Sequence, residues 1–309
     1  MPEGPTIVIL REQVERFAGC RILRAEGNAK IDMTRLAGRR VEAFRSWGKH
    51  FLIELRGFAL RVHFLMFGSY TIDERKPRDP RLSLAFPTGE LNLYSCAIRV
   101  IEGDLDEAYD WRGDVMSDAW DARAACRKLR AMPDRLVCDA LLDQDVFAGV
   151  GNIIKNEVLY RIRVHPLSRI GALPPAKLRE LVRQAREYSF EFLEWKTQFV
   201  LRQHWLAHNQ GICARCGRKL VRAYLGETDR RTFFCAHDQQ LYATPAQARV
   251  AARTVANARK GGRRPLARAE PPLERSTERA TRRQPGRGPV PRSPAARKIK
   301  ATRTRSRAP

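Results

Sequence analysis

The sequence predicts an α+β protein: a β-sandwich led by one helix, then a helical domain carrying a helix–two-turn–helix and a zinc-ribbon-like β-hairpin. Three observations carry this. The early part of the chain holds short apolar runs separated by turn residues, the pattern of antiparallel strands. After residue 121 the apolar period lengthens to that of helices. Near the end, Cys213-x2-Cys216 is followed after 18 residues by Cys235, the spacing of two metal-binding knuckles.

In residues 7–19, Leu10, Val14 and Phe17 recur at helical spacing, and Gly19 ends the run. Residues 51–55 and 59–64, joined through Arg56-Gly57, read as a hairpin. Residues 82–86 and 90–96, flanking Pro87-Thr88-Gly89, read as another. A first domain over 2–115 follows, with 110–120 as linker. Residues 122–132, 136–142, 153–162 and 175–195 read as helices of a second domain over 121–209, punctuated by Pro133, Pro166 and Pro174-Pro175. The cysteine module occupies 211–242, and no internal repeat is visible.

Charge is concentrated at one end. Residues 249–309 hold 19 Lys/Arg against 3 acidic residues, so they supply +16 of the chain's +24. With much Pro, Gly, Ser and Thr and few large apolar residues, this stretch is expected to be a disordered basic tail. The excess of cations favours a polyanionic partner, DNA or RNA. No apolar run is long enough to span a bilayer, and the N-terminus lacks the basic and apolar regions of a signal peptide, so a cytoplasmic, nucleoid-associated monomer is expected. Of the 7 cysteines, Cys20, Cys96, Cys126 and Cys138 are scattered and read as small buried apolar residues.

Five motifs carry chemistry. The chain opens Pro2-Glu3-Gly4-Pro5. Removal of the initiator Met leaves a secondary amine on Pro2, which attacks an aldehyde carbon to give a permanently cationic iminium. That electron sink acidifies the adjacent deoxyribose C2′ proton, and β-elimination follows. An α-amine is also far less basic than a lysine, so more of it is unprotonated near neutrality. Glu3 beside it can move protons. Taken alone, the same residues are a frayed end. Second, Lys49 follows Gly48 at the opening of a strand, where a solvated edge lysine is the ordinary case. Third, Leu65-Met66-Phe67 precede Gly68, either as a strand entering the core or as an apolar wedge that fills the gap left by an extruded base.

Fourth, Gly149-Val150-Gly151-Asn152 lies between two helices. Two glycines let backbone amides approach an anion, the helix start favours phosphate, and Asn152 adds a side-chain donor. Fifth, Cys213, Cys216 and Cys235 offer three thiolates for one zinc. Asp238 stands where a fourth Cys would complete the second knuckle and His237 one place earlier; imidazole is the better partner for three thiolates. Folding without metal also stays open. Arg230, between the knuckles, either grips a phosphate or is a solvated loop arginine.

Together and in this order, PEGP, GVGNIIKNEVLY and DRRTFFC resemble the formamidopyrimidine-DNA glycosylase/endonuclease VIII family, over about residues 2–242. The resemblance implies a bifunctional DNA glycosylase and abasic-site lyase of base excision repair, with damaged double-stranded DNA as partner. It implies Pro2 as Schiff-base nucleophile, Glu3 as acid/base and Lys49 as the essential strand lysine. Asn152 and Arg230 become phosphate clamps, and Leu65, Met66 and Phe67 the wedge. Zinc would be held by Cys213, Cys216, Cys235 and His237. The PEGP start, and the lack of a Gly-rich loop over 195–211, lean to the endonuclease VIII branch and oxidised pyrimidines. The alternative is a non-catalytic binder of abasic or distorted DNA on the same scaffold, which would not need Pro2, Glu3 or Lys49. A more distant one is an RNA-binding protein, in which the N-terminal Pro-Glu and the wedge have no role.

Overall fold

The computed structural model describes residues 2–260. Helix α1 (Gly4–Val14) leads, with Pro5 in its first turn, where a missing N–H costs nothing. Ile7, Leu10 and Val14 are buried, as is Phe17 beyond it, stacked on Phe86 at 4.5 Å. Eight strands follow: β1 (Arg24–Glu26), β2 (Val41–Trp47), β3 (His50–Leu55), β4 (Phe58–His63), β5 (Ser69–Ile72), β6 (Leu82–Phe86), β7 (Gly89–Tyr94) and β8 (Ala97–Glu102). They form two antiparallel four-stranded sheets, ordered β1-β6-β7-β5 and β2-β3-β4-β8. Both sheets and α1 contribute to one apolar core, with Leu60 and Val62 from one sheet and Leu84 and Leu93 from the other. The two expected hairpins are present. β1, β2, β5 and β8 were not anticipated.

A short helix α2 (Leu105–Ala108) leads into the second core. There α3 (Ala122–Arg130), α4 (Val137–Ala140), α5 (Asn152–Arg161) and α6 (Pro175–Thr197) pack Leu129, Val137, Ile154, Leu181 and Tyr188 together. Helix α5 is buried from Ile154 to Tyr160, and three of those residues, Lys155, Asn156 and Glu157, are polar or charged. Strands β9 (Val221–Leu225) and β10 (Arg230–Phe234) form a hairpin in register Arg230↔Leu225.

One expectation is corrected. The stretch from residue 249 does not begin as a disordered tail, because α7 (Pro245–Lys260) runs through it. Ala251 and Val255, one turn apart, pack against Leu167, Val221, Leu225 and Phe234, so α7 braces the back of the hairpin. The remainder of the expected tail, residues 261–309, lies outside the described residues. Among the described residues no helix is long and apolar enough to cross a membrane.

Candidate active site

The loop 149–151 turns into α5 with no side-chain cap of its own. The cap comes from the other end of the chain. Glu3 Oε1 accepts from the Ile153 N–H at 2.7 Å, and Oε2 from the Ile154 N–H at 3.2 Å. The Gly4 N–H donates to the Gly149 carbonyl at 2.9 Å, so residues beside Pro2 are tied on both sides of that loop. A carboxyl group suits this place, because a helix start presents unpaired N–H groups and the positive end of the helix dipole. The glycines are required: Gly149 has φ of +100°, and a Cβ on Gly151 would collide with the Glu3 carboxyl carbon. Glu3 is 1% exposed, and burial raises its pKa against the opposing pull of Ile153, Lys49 and Ile154. Its carboxyl therefore holds a proton to higher pH than an ordinary glutamate does.

Lys49 does not open a strand, as expected, but is the second residue of the two-residue turn between β2 and β3, because Trp47 pairs with His50. Gly48 supplies the positive φ, +54°, that such a turn demands. It also packs on the Gly149 loop, where a Cβ would lie 2.9 Å from the Gly149 nitrogen. The Gly48 N–H donates to Asp114 Oδ2 at 3.0 Å. Asp114 is buried, and burial pushes its carboxyl up to about 6. Burial lowers the Lys49 pKa, the charge on Glu3 raises it and that on Arg230 lowers it again. Glu3, Lys49 and Arg230, far apart in sequence, thus act on one another electrostatically.

Arg230 stands half-buried at the start of β10. The hairpin turn is pinned by Asp139, which accepts from the N–H groups of Glu227 and Thr228 at 3.1 and 3.3 Å. Its strand is fixed to α5 by buried Lys155, whose Nζ donates to Thr232 Oγ1 at 2.8 Å. Burial brings Lys155 down to about 8. The Asn152 amide donates to the Arg231 carbonyl at 2.9 Å, so its first partner is the hairpin itself. Asp114, Asp139 and Lys155 were missed by sequence reasoning. Charged residues in a mixed segment read as solvent-facing, and only the three-dimensional packing reveals otherwise.

Leu65, Met66 and Phe67 lie between β4 and β5 and are 50%, 47% and 80% exposed. They do not enter the core. A tight turn presents them, with the Gly68 N–H bonded to the Phe64 carbonyl at 2.7 Å and Leu65 at φ +52°. The Leu65 N–H also donates to His63 Nδ1 at 3.4 Å, and His63 feels the charge of Lys49.

The sulfurs of Cys213, Cys216 and Cys235 lie within 4.8 Å of one another, a group that could hold a metal ion. All three are free thiols, with 3.4 Å between the sulfurs of Cys216 and Cys235, and the Tyr160 hydroxyl lies 3.2 Å from Cys213 Sγ. Three soft donors so close suit zinc. His237, expected as the fourth ligand, is exposed and stands outside the group. Asp238 is taken up by Arg215 and, at 3.8 Å, by Arg163.

Two family models match this chain: the formamidopyrimidine-DNA glycosylase N-terminal domain over residues 1–97 and the H2TH domain of the same glycosylase over 114–196. Endonuclease 8 2 of Mycobacterium tuberculosis is 30% identical over 265 residues, which cover 76% of this chain and 98% of that protein. This chain belongs to the formamidopyrimidine-DNA glycosylase/endonuclease VIII family. Endonuclease 8-like 3 of Xenopus laevis is also 30% identical, over 243 residues, but this family member spans only 39% of that longer relative. The Lactococcus lactis formamidopyrimidine-DNA glycosylase, solved on DNA containing an abasic site, superposes with a TM-score of 0.68. It covers 77% of this chain and 99% of its own at 21% identity, which establishes a shared fold.

Proposed function

We propose that this protein is a bifunctional DNA glycosylase and abasic-site lyase of base excision repair. Its partner is damaged double-stranded DNA, its substrates are oxidised pyrimidines, and its nucleophile is the α-amine of Pro2. The observation that carries this reading is the burial of Glu3 at the start of α5. A frayed terminus would not place a carboxyl group 1% exposed beneath two backbone N–H groups 150 residues away. Glu3 is the chain neighbour of Pro2, and its charge acts on Lys49, which also feels that of Arg230, so this reading brings Pro2, Lys49 and Arg230 to one site.

The chemistry runs as follows. The target nucleotide leaves the stack, and Leu65, Met66 and Phe67 fill the space. Glu3 protonates the deoxyribose ring oxygen as the Pro2 nitrogen bonds to C1′ and the C1′–O4′ bond breaks, and the base then leaves C1′ with the proton that the Pro2 nitrogen gives up. The resulting iminium accepts the electrons of the C2′–H bond, the proton leaves to a base, and the 3′ phosphate is expelled. A second elimination expels the 5′ phosphate. Arg230 and the second N–H of Asn152 hold the flanking phosphates, and Lys49, deprotonated more readily than a surface lysine, assists departure of the base. The choice of pyrimidines rests on likeness to the endonuclease VIII branch. In keeping with it, Glu157 pins the segment after α6 by accepting from the N–H groups of Leu206 and Ala207 at 2.9 and 3.0 Å.

Zinc on Cys213, Cys216 and Cys235 would hold the hairpin and so Arg230, and takes no part in the chemical steps. Of the two candidate fourth ligands, His237 has no side-chain partner among the described residues, whereas Asp238 is already paired. Metal analysis should therefore find close to one zinc per chain. Cys213→Ser should release it and weaken DNA binding, and His237→Ala should lower zinc affinity more than Asp238→Ala. Metal-free protein of full activity would remove zinc from the account.

The direct test of the activity is nicking of duplexes that carry an oxidised pyrimidine, an oxidised purine or a ready-made abasic site. Cleavage of the first and third, with the second slower, is expected. Binding without cleavage of any would favour the non-catalytic binder. Lys49→Ala should lower excision about 100-fold or more while cleavage of the abasic site falls far less, because only the first substrate needs a departing base assisted. Equal losses on both would contradict that role.

A further inference from the structure

Two helices outside the active site carry the same arginine spacing. On α3, Arg123, Arg127 and Arg130 fall at i, i+4 and i+7, and on α6 Arg179, Arg183 and Arg186 repeat it. Residues one helical turn apart share a face, so each set is a row about 10 Å long, at about 1.5 Å per residue. The rows border a groove of about 1120 Å³ between the two helices. Its floor is apolar, with Trp120, Cys126, Val182 and Phe190.

Like charges at this spacing repel and weaken a helix. Some of the repulsion is relieved internally. Arg127 meets Asp121 at 3.5 Å, Arg183 pairs with Glu187, and Arg186 donates to the carbonyls of Val115 and Ser117 at 3.0 and 2.8 Å. Arg123, Arg130 and Arg179 are exposed and have no acidic partner among the described residues. Phe190 is 40% exposed at the end of the groove.

We propose that this groove docks an acidic peptide segment of another protein, with carboxylates paired to Arg123, Arg130 and Arg179 and apolar side chains between them seated against Trp120 and Phe190. Charge complementarity requires an anion, and guanidinium forks match carboxylates in geometry. Two carboxylates of the chain itself, Asp121 and Glu187, already sit against these rows. The apolar floor asks for more than charge, and apolar anchors entering a groove between helices are a recurrent way of binding peptides. A nucleic-acid strand fits less well. Single-strand grooves offer successive aromatic faces, whereas among the residues lining this groove Phe190 is the one exposed ring.

The test uses the full chain and fluorescence anisotropy with a short labelled peptide in which Asp and Glu alternate with Leu and Phe. Arg130→Glu with Arg179→Glu should weaken binding by about 10-fold or more, and Arg130→Gln with Arg179→Gln by less. These side chains are exposed and unpaired, so nicking of an abasic duplex should be unchanged, which also reports folding. A peptide with Ser in place of Leu and Phe should bind about 10-fold more weakly to the unaltered chain. Equal binding of the two peptides, or no effect of the charge reversal, would reduce the interaction to general attraction by a basic surface and overturn the proposal. Displacement of the peptide by oligothymidylate, lost in the charge-reversed variant, would overturn it in favour of a single strand.

Discussion

Glu3→Gln should lower the single-turnover rate of base excision by about 10²–10⁴-fold, the range a positioned proton donor contributes. Burial raises the pKa of Glu3, so a neutral carboxyl is available to protonate the sugar, and an amide cannot replace it. The same change disturbs α5. The amide oxygen can still accept from Ile153, but the NH2 group then faces the Ile154 N–H, donor against donor. Loss of part of a cap costs about 1 kcal/mol, too little to unfold the chain. The pH profile separates the two effects. A general acid works protonated, so excision should fall as pH rises through the raised Glu3 pKa, and that limb should vanish in Glu3→Gln. Gly151→Ala should produce a similar loss by another route, since its Cβ takes the space of the Glu3 carboxyl group. Residues that act as one unit are not additive, so the double variant should be no slower than Glu3→Gln alone. Additive losses would show that Gly151 matters for some other reason.

The fold class was legible because two periodicities, strand then helix, are written plainly in the apolar residues. What escaped was structure whose local signal is diluted. Strand β2 has a bulge between Val41 and Ala43 that shifts its alternation, and Glu42 and Arg45 interrupt the apolar run. Helix α7 merges in composition with the basic stretch that follows, though its alanines favour helix and Ala251 and Val255 supply one apolar face. In the site, the two glycines before α5 marked the helix start as a place where a group can approach backbone amides closely. That the group occupying it is the Glu3 carboxyl could not be read, because the partners are 150 residues apart and a cap borrowed from so far away leaves no local motif. The same holds for Asp114 under Gly48 and for Lys155 beneath Thr232, each a charge whose burial depends on an element elsewhere in the chain. The cysteines drew together as their spacing implied. His237 is exposed and lies outside the group of three.

Borohydride trapping on abasic-site DNA, with the crosslink mapped by peptide analysis, tests the central claim most directly. Borohydride reduces an iminium to a stable amine, so the chain should become covalently joined to the DNA through the nitrogen of Pro2. Any extension ahead of Pro2, an uncleaved Met1 included, turns that amine into an amide without a nucleophilic lone pair. Trapping and nicking should then disappear, while binding persists through Arg230 and Asn152. Pro2→Gly keeps a primary amine and should retain weak lyase activity with excision lost. A crosslink at Pro2 that any N-terminal extension abolishes is the predicted result. Full nicking by the extended protein, or a crosslink mapped to an internal lysine such as Lys49, would contradict it.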